Sequence, residues 1–482
     1  MESKVREIID WFARLNEIPR CSGNEAAVAA WLCEWAANNG YVHRSDAVGN
    51  LIIDVPASEG YEAAPGVIFQ AHMDMVCEKT SDSTHDFSKD PIRMVTRGDW
   101  LTAESTSLGA DNGAAIAIGM VLVTDPTVKH PPLELLFTVD EESGLVGAKK
   151  LPDDFINGRI LLNVDSEDEG IFTVGCAGGI DTVMDRDFDL EKVPPEYVLF
   201  TISAGGMRGG HSGIDIGKHR ANANKVLARL LDAARKQTGL RLASLEGGTK
   251  HNAIPREARA TVALPAADAA DVEKILLALT AEIRAEYQAT EPNLTIACGQ
   301  QAAGGQEQIM TPADTRTVIA CLMAMPTGVI ETVAGECERV ETSCNLAILG
   351  LEGQQFSLLV SQRSSVMSRL AAINAQVENV ASLAGLAIHT TNKYPAWPVK
   401  EGDPLLGRCR QVYQKCFDKE PVVEVIHAGL ECAVIGSKYP GMEMISFGPT
   451  MKNPHSPDEK LNIPSMGKLW DFLVMLMESF KP

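Results

Sequence analysis

The chain has 482 residues, 45% hydrophobic and 22% charged, which is too long for one ordinary core and leads us to expect two or more domains. Its net charge of −21 argues against a nucleic-acid or anionic-membrane partner. The first residues carry no apolar signal core, no later run is long enough to span a bilayer, and eleven scattered cysteines without a CxxC pair suggest reduced thiols, so a cytoplasmic location is expected.

Val5, Ile8, Ile9, Phe12 and Leu15 recur at helical spacing, which predicts an amphipathic helix over 3–18. A second helix is expected from Asn24 to Asn39, with Gly40 as its stop. After a short strand near Leu51–Val55, the apolar run 66–70 delivers His72 and Asp74. Strand side chains alternate, so these two leave the backbone on one face. There the imidazole can bind a metal through one nitrogen while the carboxylate holds its other N–H. Ser107 to Ile116 reads as a tight loop feeding a helix to about Val123, with Asp111 or Asn112 near its N-cap. The apolar strand Leu133–Val139 ends in Asp140-Glu141-Glu142, acids that repel one another unless cations or hydrogen bonds offset them. Ile160–Val164 ends in Asp165, which repeats the pattern of a buried strand with a ligand-type residue at its carboxyl end.

From about Glu196 the pattern changes to α+β. A strand over 197–202 precedes the glycine-rich loop 205–213 with His211, and a helix over 221–236, a strand over 258–264 and a helix over 271–286 follow. A weak repeat is then expected: helix 312–325, strands near 341–349 and 355–362, helix 366–385, with Asn252 and Asn345 in comparable places. The expected division is a catalytic domain over 1–184 and 391–482, with an inserted domain of two similar halves over 185–390. In the last part, a helix over 405–417, strands over 422–426 and 442–447, the loop holding His455, and a closing helix over 465–478 return to α/β order.

His72, Asp111, Glu142, Asp165 and His455 each lie at or just beyond a strand or loop end of the same α/β unit. Two divalent zinc ions would be balanced by three carboxylates and one bridging hydroxide, with one carboxylate spanning both ions. Glu141, beside a ligand but not needed as one, is then placed to be the general base.

In its motifs the chain resembles the two-zinc aminoacylase and carboxypeptidase superfamily of metallopeptidases, in its Xaa-His dipeptidase branch. The matching pieces are 71–74, 109–113, 140–142, 163–165, 209–213 and 454–459, spread over nearly the whole chain in family order. The resemblance implies an α/β, zinc-peptidase-like catalytic domain with a mixed sheet, plus an inserted α+β lid. It implies that His72 and Asp165 hold one zinc, Glu142 and His455 the other, that Asp111 bridges, and that Asp74 orients His72. By the same resemblance His211 supports the oxyanion and Asn252 and Arg363 hold a substrate carboxylate, while Glu431 is a candidate receiver for a free α-amino group. The expected activity is a two-metal dipeptidase acting through a metal-bridging hydroxide on short peptides, Xaa-His dipeptides among them, with a homodimer left open. Two other readings stand beside it: an N-acyl-amino-acid deacylase of the same superfamily, and a metal-bound scaffold without turnover.

Overall fold

The computed structural model describes residues 2–301 and 308–482. By its internal contacts the chain forms two compact units: Met1–Cys176 with Trp397–Val425 and Leu430–Pro482, and Ala177–Ala396 with Ile426–Gly429. The inserted unit begins earlier than the expected 185 because the strand Gly178–Asp187 pairs along Gln355–Ser364 and Ala387–Tyr394, deep in that unit's sheet.

In the first unit the strands Val67–His72, Leu133–Thr138 and Ile160–Asn163 are buried at every position. Strands of this kind sit inside a sheet covered on both faces. They run parallel to one another, and Glu443–Ser446 extends the parallel set beside Ile160–Asn163. Antiparallel neighbours flank them, which gives an eight-stranded mixed sheet in the order 42–45, 51–55, 133–138, 67–72, 160–163, 443–446, 171–176, 422–426. The helix Ala110–Thr124 is apolar all round and buried along nearly its whole length. Gly119 lets it close on the sheet, since a Cβ there would stand 2.9 Å from the Phe69 ring. Phe12, Leu15, Phe447, Phe472 and Leu473 complete that core from the flanking helices and strands.

The second unit is built on a nine-stranded antiparallel sheet in the order 295–300, 197–205, 258–265, 241–247, 336–352, 355–364, 178–187, 387–394, with 328–333 paired to 336–352. Arg241–Gly247 meets Glu336–Glu352 at Leu245–Leu351, so four strands of that order lie on each side of the junction. Helices Ala223–Arg235, Ala269–Glu286, Pro312–Ala324 and Met367–Leu383 contribute buried side chains to its core. Strands such as 295–300 and 387–394 are mostly exposed and low in apolar contrast, so periodicity did not announce them.

One expectation is corrected. The cysteines are not all reduced thiols: Cys21 and Cys77 form a disulfide, with Cα atoms 5.7 Å apart across 56 residues of sequence. The pairing is tertiary in origin, because Cys21 bridges Met75 and the Met75 N–H donates to the Arg20 carbonyl. Among the described residues, no helix is long and apolar enough to cross a membrane.

Candidate active site

The parallel strands of the first unit all point their carboxyl ends to one edge, the usual ligand edge of an α/β sheet. His72 closes its strand there, Glu141 and Glu142 follow Leu133–Thr138, and Asp165 follows Ile160–Asn163. His72 is buried, with Nδ1 3.3 Å from Asp74 Oδ1. Its Nε2 lies 2.9 Å from Asp111 Oδ1 and 3.3 Å from Asp165 Oδ1. On the other side of Asp111, Oδ2 is 3.2 Å from His455 Nε2, which is itself 2.9 Å from Glu142 Oε1. The two oxygens of one carboxylate therefore face two separate imidazole–carboxylate sets.

This donor set fits metal ions. Three groups, His72/Asp111/Asp165, His72/Glu141/Glu142 and Asp111/Glu142/His455, each hold their ligand atoms within 4.8 Å of one another. Ligand atoms about 3.3 Å apart are what a tetrahedral ion with bonds near 2.0 Å requires. Asp165 Oδ1 lies 3.3 Å from His72 Nε2 and Glu142 Oε1 2.9 Å from His455 Nε2, so in each pair a carboxylate oxygen and an imidazole nitrogen converge at the spacing of two ligands on one cation.

The electrostatics agree. Burial alone would lower the His72 pKa, but Asp165, Asp111 and Asp74 raise it well above the usual histidine range. Burial would raise Asp111, but hydrogen bonds to His455 and His72 hold it far below the ordinary carboxylate value. Burial, then the charge of Asp111, pushes Glu142 up to about 7. Glu141 is raised well above its ordinary value, chiefly by burial, with Glu142, Asp165 and Glu431 adding repulsion. So many enclosed acids keep their charge only with cations among them.

Asp74 does more than face His72. It accepts the Ser22 hydroxyl at 2.8 Å and the backbone N–H groups of Glu141 and Glu142 at 3.0 and 3.2 Å, so it fixes two adjacent segments at once. Asp111 is held in a similar way, and here the sequence reading missed the agent. Asp111 and Asn112 do lie at the start of the helix Ala110–Thr124, close to its N-cap Gly109, but their side chains turn away from it: the Asp111 carboxylate faces His72 and His455, and Asn112 Nδ2 donates to the Val164 carbonyl. The Glu459 carboxylate takes the N–H groups of Leu108, Gly109, Ala110 and Asp111 at 2.7, 3.0, 2.8 and 3.4 Å. Arg20, wholly enclosed, donates to the carbonyls of Met73, Asp74 and Gly109. Burial pulls its pKa down to about 10 against the charges of Glu459, Asp74 and Asp111.

Glu431 is buried in the same unit, where its Oε2 accepts Gln70 Nε2 at 2.6 Å and Thr138 Oγ1 at 2.7 Å and its Oε1 has no partner. Burial raises its pKa to about 8.

The remaining predicted residues lie in the second unit. His211 Nδ1 accepts the N–H groups of Gly213 and Ile214 at 3.2 and 3.1 Å, which leaves the proton of the neutral ring on Nε2. Arg363 is buried, donating to Tyr394 Oη at 2.8 Å and Ser212 Oγ at 3.4 Å. Asn252 is tied to the same loop through its carbonyl, which accepts the Ser212 N–H at 2.8 Å. His427 was missed in this group. Its sequence neighbours gave no signal, and only the fold returns 426–429 to this unit.

Comparison with known proteins places this geometry. Residues 202–291 match the family model described as the peptidase dimerisation domain of M20 peptidases. The chain is 39% identical over 470 residues to the cytosol non-specific dipeptidase of Escherichia coli (strain K12), covering 97% of this chain and 96% of that one. The crystal structure of aminoacylhistidine dipeptidase from Vibrio alginolyticus superposes with a TM-score of 0.84 at 38% identity, over 98% of this chain and 96% of that one. The aminopeptidase PepT from Bacillus cereus ATCC 10987 shares the fold, with a TM-score of 0.57 at 15% identity over 99% of both chains. A chain that carries this carboxylate–imidazole cluster and aligns end to end with these dipeptidases belongs to the M20 metallopeptidase family, in its dipeptidase branch.

Proposed function

We propose that the protein is a two-metal dipeptidase, with zinc as the metal, acting on short peptides including Xaa-His dipeptides in the cytoplasm, with a homodimer as its assembly. One observation carries the reading: Asp111 Oδ1 faces His72, and Asp111 Oδ2 faces His455, as a bridging carboxylate between two ions requires. His72 and Asp165 would hold one ion, His455 and Glu142 the other. When bound, the ions polarise a carbonyl and lower the pKa of the water they hold.

The chain's own residues do the rest. Asp74 keeps the His72 proton on Nδ1, so that Nε2 presents its lone pair. Glu141, within 4.8 Å of both His72 and Glu142, takes the proton of the attacking water and delivers it to the leaving amine. His211 donates from Nε2 to the developing oxyanion. Arg363 and Asn252 hold the substrate carboxylate, a task for which a guanidinium is suited. The unpartnered Oε1 of Glu431 is left for a free α-amino group.

The test is a panel of free and N-blocked dipeptides, with and without added zinc. Hydrolysis of free dipeptides that depends on metal supports the proposal. Turnover of N-acyl amino acids in preference would replace it with a deacylase, and no turnover of any member would leave only a metal-bound scaffold.

A further inference from the structure

The second unit holds a polar cluster whose hydrogen bonds are incomplete. Ser343 and Arg363 are directly opposed on neighbouring strands, so their side chains share one face of the sheet. The hydroxyl of Ser343 lies 2.8 Å from His427 Nε2. The loop holding His211 closes over the same place: a Cβ on Gly213 would overlap the His427 carbonyl and stand 3.1 Å from His211 Cε1. Two polar atoms in this cluster are buried without any partner, His427 Nδ1 and Arg363 Nε. Leaving a buried donor unpaired costs about 1–3 kcal/mol, so two in one cluster point to a ligand that pairs them.

The chemistry of that ligand follows from the donors. Arg363 Nε always carries hydrogen. If Ser343 donates to His427 Nε2, the neutral ring carries its proton on Nδ1, and the cluster offers two unpaired N–H groups. Burial, then the neighbouring charge of Arg363, lowers the His427 pKa to about 3, so the ring stays neutral beside the guanidinium. Two unpaired donors next to one fixed positive charge suit an anion with two acceptor oxygens.

We propose that His427 is a substrate-binding residue whose Nδ1–H, together with Arg363 Nε–H, receives the free α-carboxylate of the peptide and makes the enzyme select peptide acids over peptide amides. This rests on the dipeptidase reading, which already gives the substrate carboxylate to Arg363, and deepens it by adding a residue that no motif marked. An amide presents an NH₂ to these donors and leaves one of them unpaired, and sites built for hydrogen bonding reject analogues that lack the matching group.

The experiment compares a dipeptide with its C-terminal amide in the metal-loaded enzyme and in two isosteric variants. The side-chain nitrogen of asparagine stands near the position of histidine Nδ1, and that of glutamine near Nε2. His427→Gln keeps the bond to Ser343 but loses the Nδ1 donor. It should raise the KM of the acid about 10–100-fold, the loss of one charge-assisted hydrogen bond, with a far smaller change in kcat or in the amide. His427→Asn should retain more of the acid's affinity than His427→Gln. Ser343→Ala, which removes the group that sets the tautomer, should also narrow the gap between acid and amide. The reverse order, with glutamine close to the parent and asparagine defective, would show that His427 serves only to hold Ser343 and would overturn the proposal, as would equal KM changes for acid and amide. Calorimetric binding of the same dipeptide and its amide to metal-free protein separates the two readings. A His427-dependent preference for the acid without any hydrolysis would support this site while rejecting the dipeptidase, whereas hydrolysis with no such preference would reject this site alone.

Discussion

Glu141 and Glu142 are neighbours in sequence, yet they stand in different relations to the site. Glu142 shares a close contact with His455 within the candidate ligand group Asp111/Glu142/His455, so Glu142→Ala should cost one metal ion and lose activity through that loss. Glu141→Gln keeps the shape and should keep the metal, while kcat falls on the order of 10²–10⁴-fold and KM changes much less. Metal analysis and steady-state kinetics on the two variants check this. A Glu141→Gln enzyme with full metal and near-normal kcat would remove the general-base assignment. The raised pKa of Glu142, about 7, has a consequence of its own. His455, which against its burial Asp111 and Glu142 keep protonated up to about 11, must give up a proton to bind this ion, and below about 7 the metal-free Glu142 carboxyl must give up a second. Affinity should therefore fall as pH drops, by up to tenfold per unit above about 7 and more steeply below it. Metal titrations at pH 6 and pH 8 in buffers of different ionisation enthalpy measure both the affinity and the protons.

At the scale of elements, the start of the helix Ala110–Thr124 carries the bridging candidate, and what fixes it is remote. Glu459 accepts four backbone N–H groups there, all buried. Glu459→Ala strands these donors, and since each buried unpaired donor costs about 1–3 kcal/mol, a loss of at least about 3 kcal/mol is expected in urea denaturation. Metal content should fall at both positions together, because both depend on Asp111. Gly109 precedes the same turn with φ of +70°, and a Cβ there would overlap Arg20 Nη2. Gly109→Ala should therefore destabilise through both strain and displacement of the guanidinium, by about 2 kcal/mol or more. Stability close to that of the parent would show that Arg20 moves aside freely.

For the whole molecule the countable quantity is metal. Two ions per chain are expected at saturation, and Asp111→Ala should lower both occupancies. Elemental analysis that plateaus at one ion would remove the bridging role. Dipeptides should be cleaved and tetrapeptides hardly at all, an expectation that follows from the carboxylate and amine recognition proposed for the substrate's two ends. Comparable rates on both lengths would contradict it.

The residues of the candidate centre were legible in sequence because buried strands announce themselves. An unbroken apolar run such as Leu133–Thr138 tolerates charge only at its end, so His72, the acids at 140–142 and Asp165 stood out as ligand-type residues at strand ends, and the family motifs assigned their partners. The runs marked buried strands of an α/β sheet, and its mixed character was implied by the family resemblance. What sequence could not supply were interactions whose partners are far apart and whose local pattern is ordinary. Glu459 reads as one more loop acid until the fold brings it to the N–H groups of 108–111. Cys21 and Cys77 look like unrelated thiols until an isolated bridge aligns their segments. The exposed strands of the second unit have little apolar alternation, so backbone pairing rather than burial defines them. His427 is the sharpest case: a four-residue segment rejoins a unit whose main stretch ended thirty residues earlier, as the boundaries at Ala396 and Ile426 show. Composition and periodicity report on burial, which is local in sequence. Hydrogen-bond partners and charge neighbours are set by the path of the backbone, and only the tertiary structure decides them.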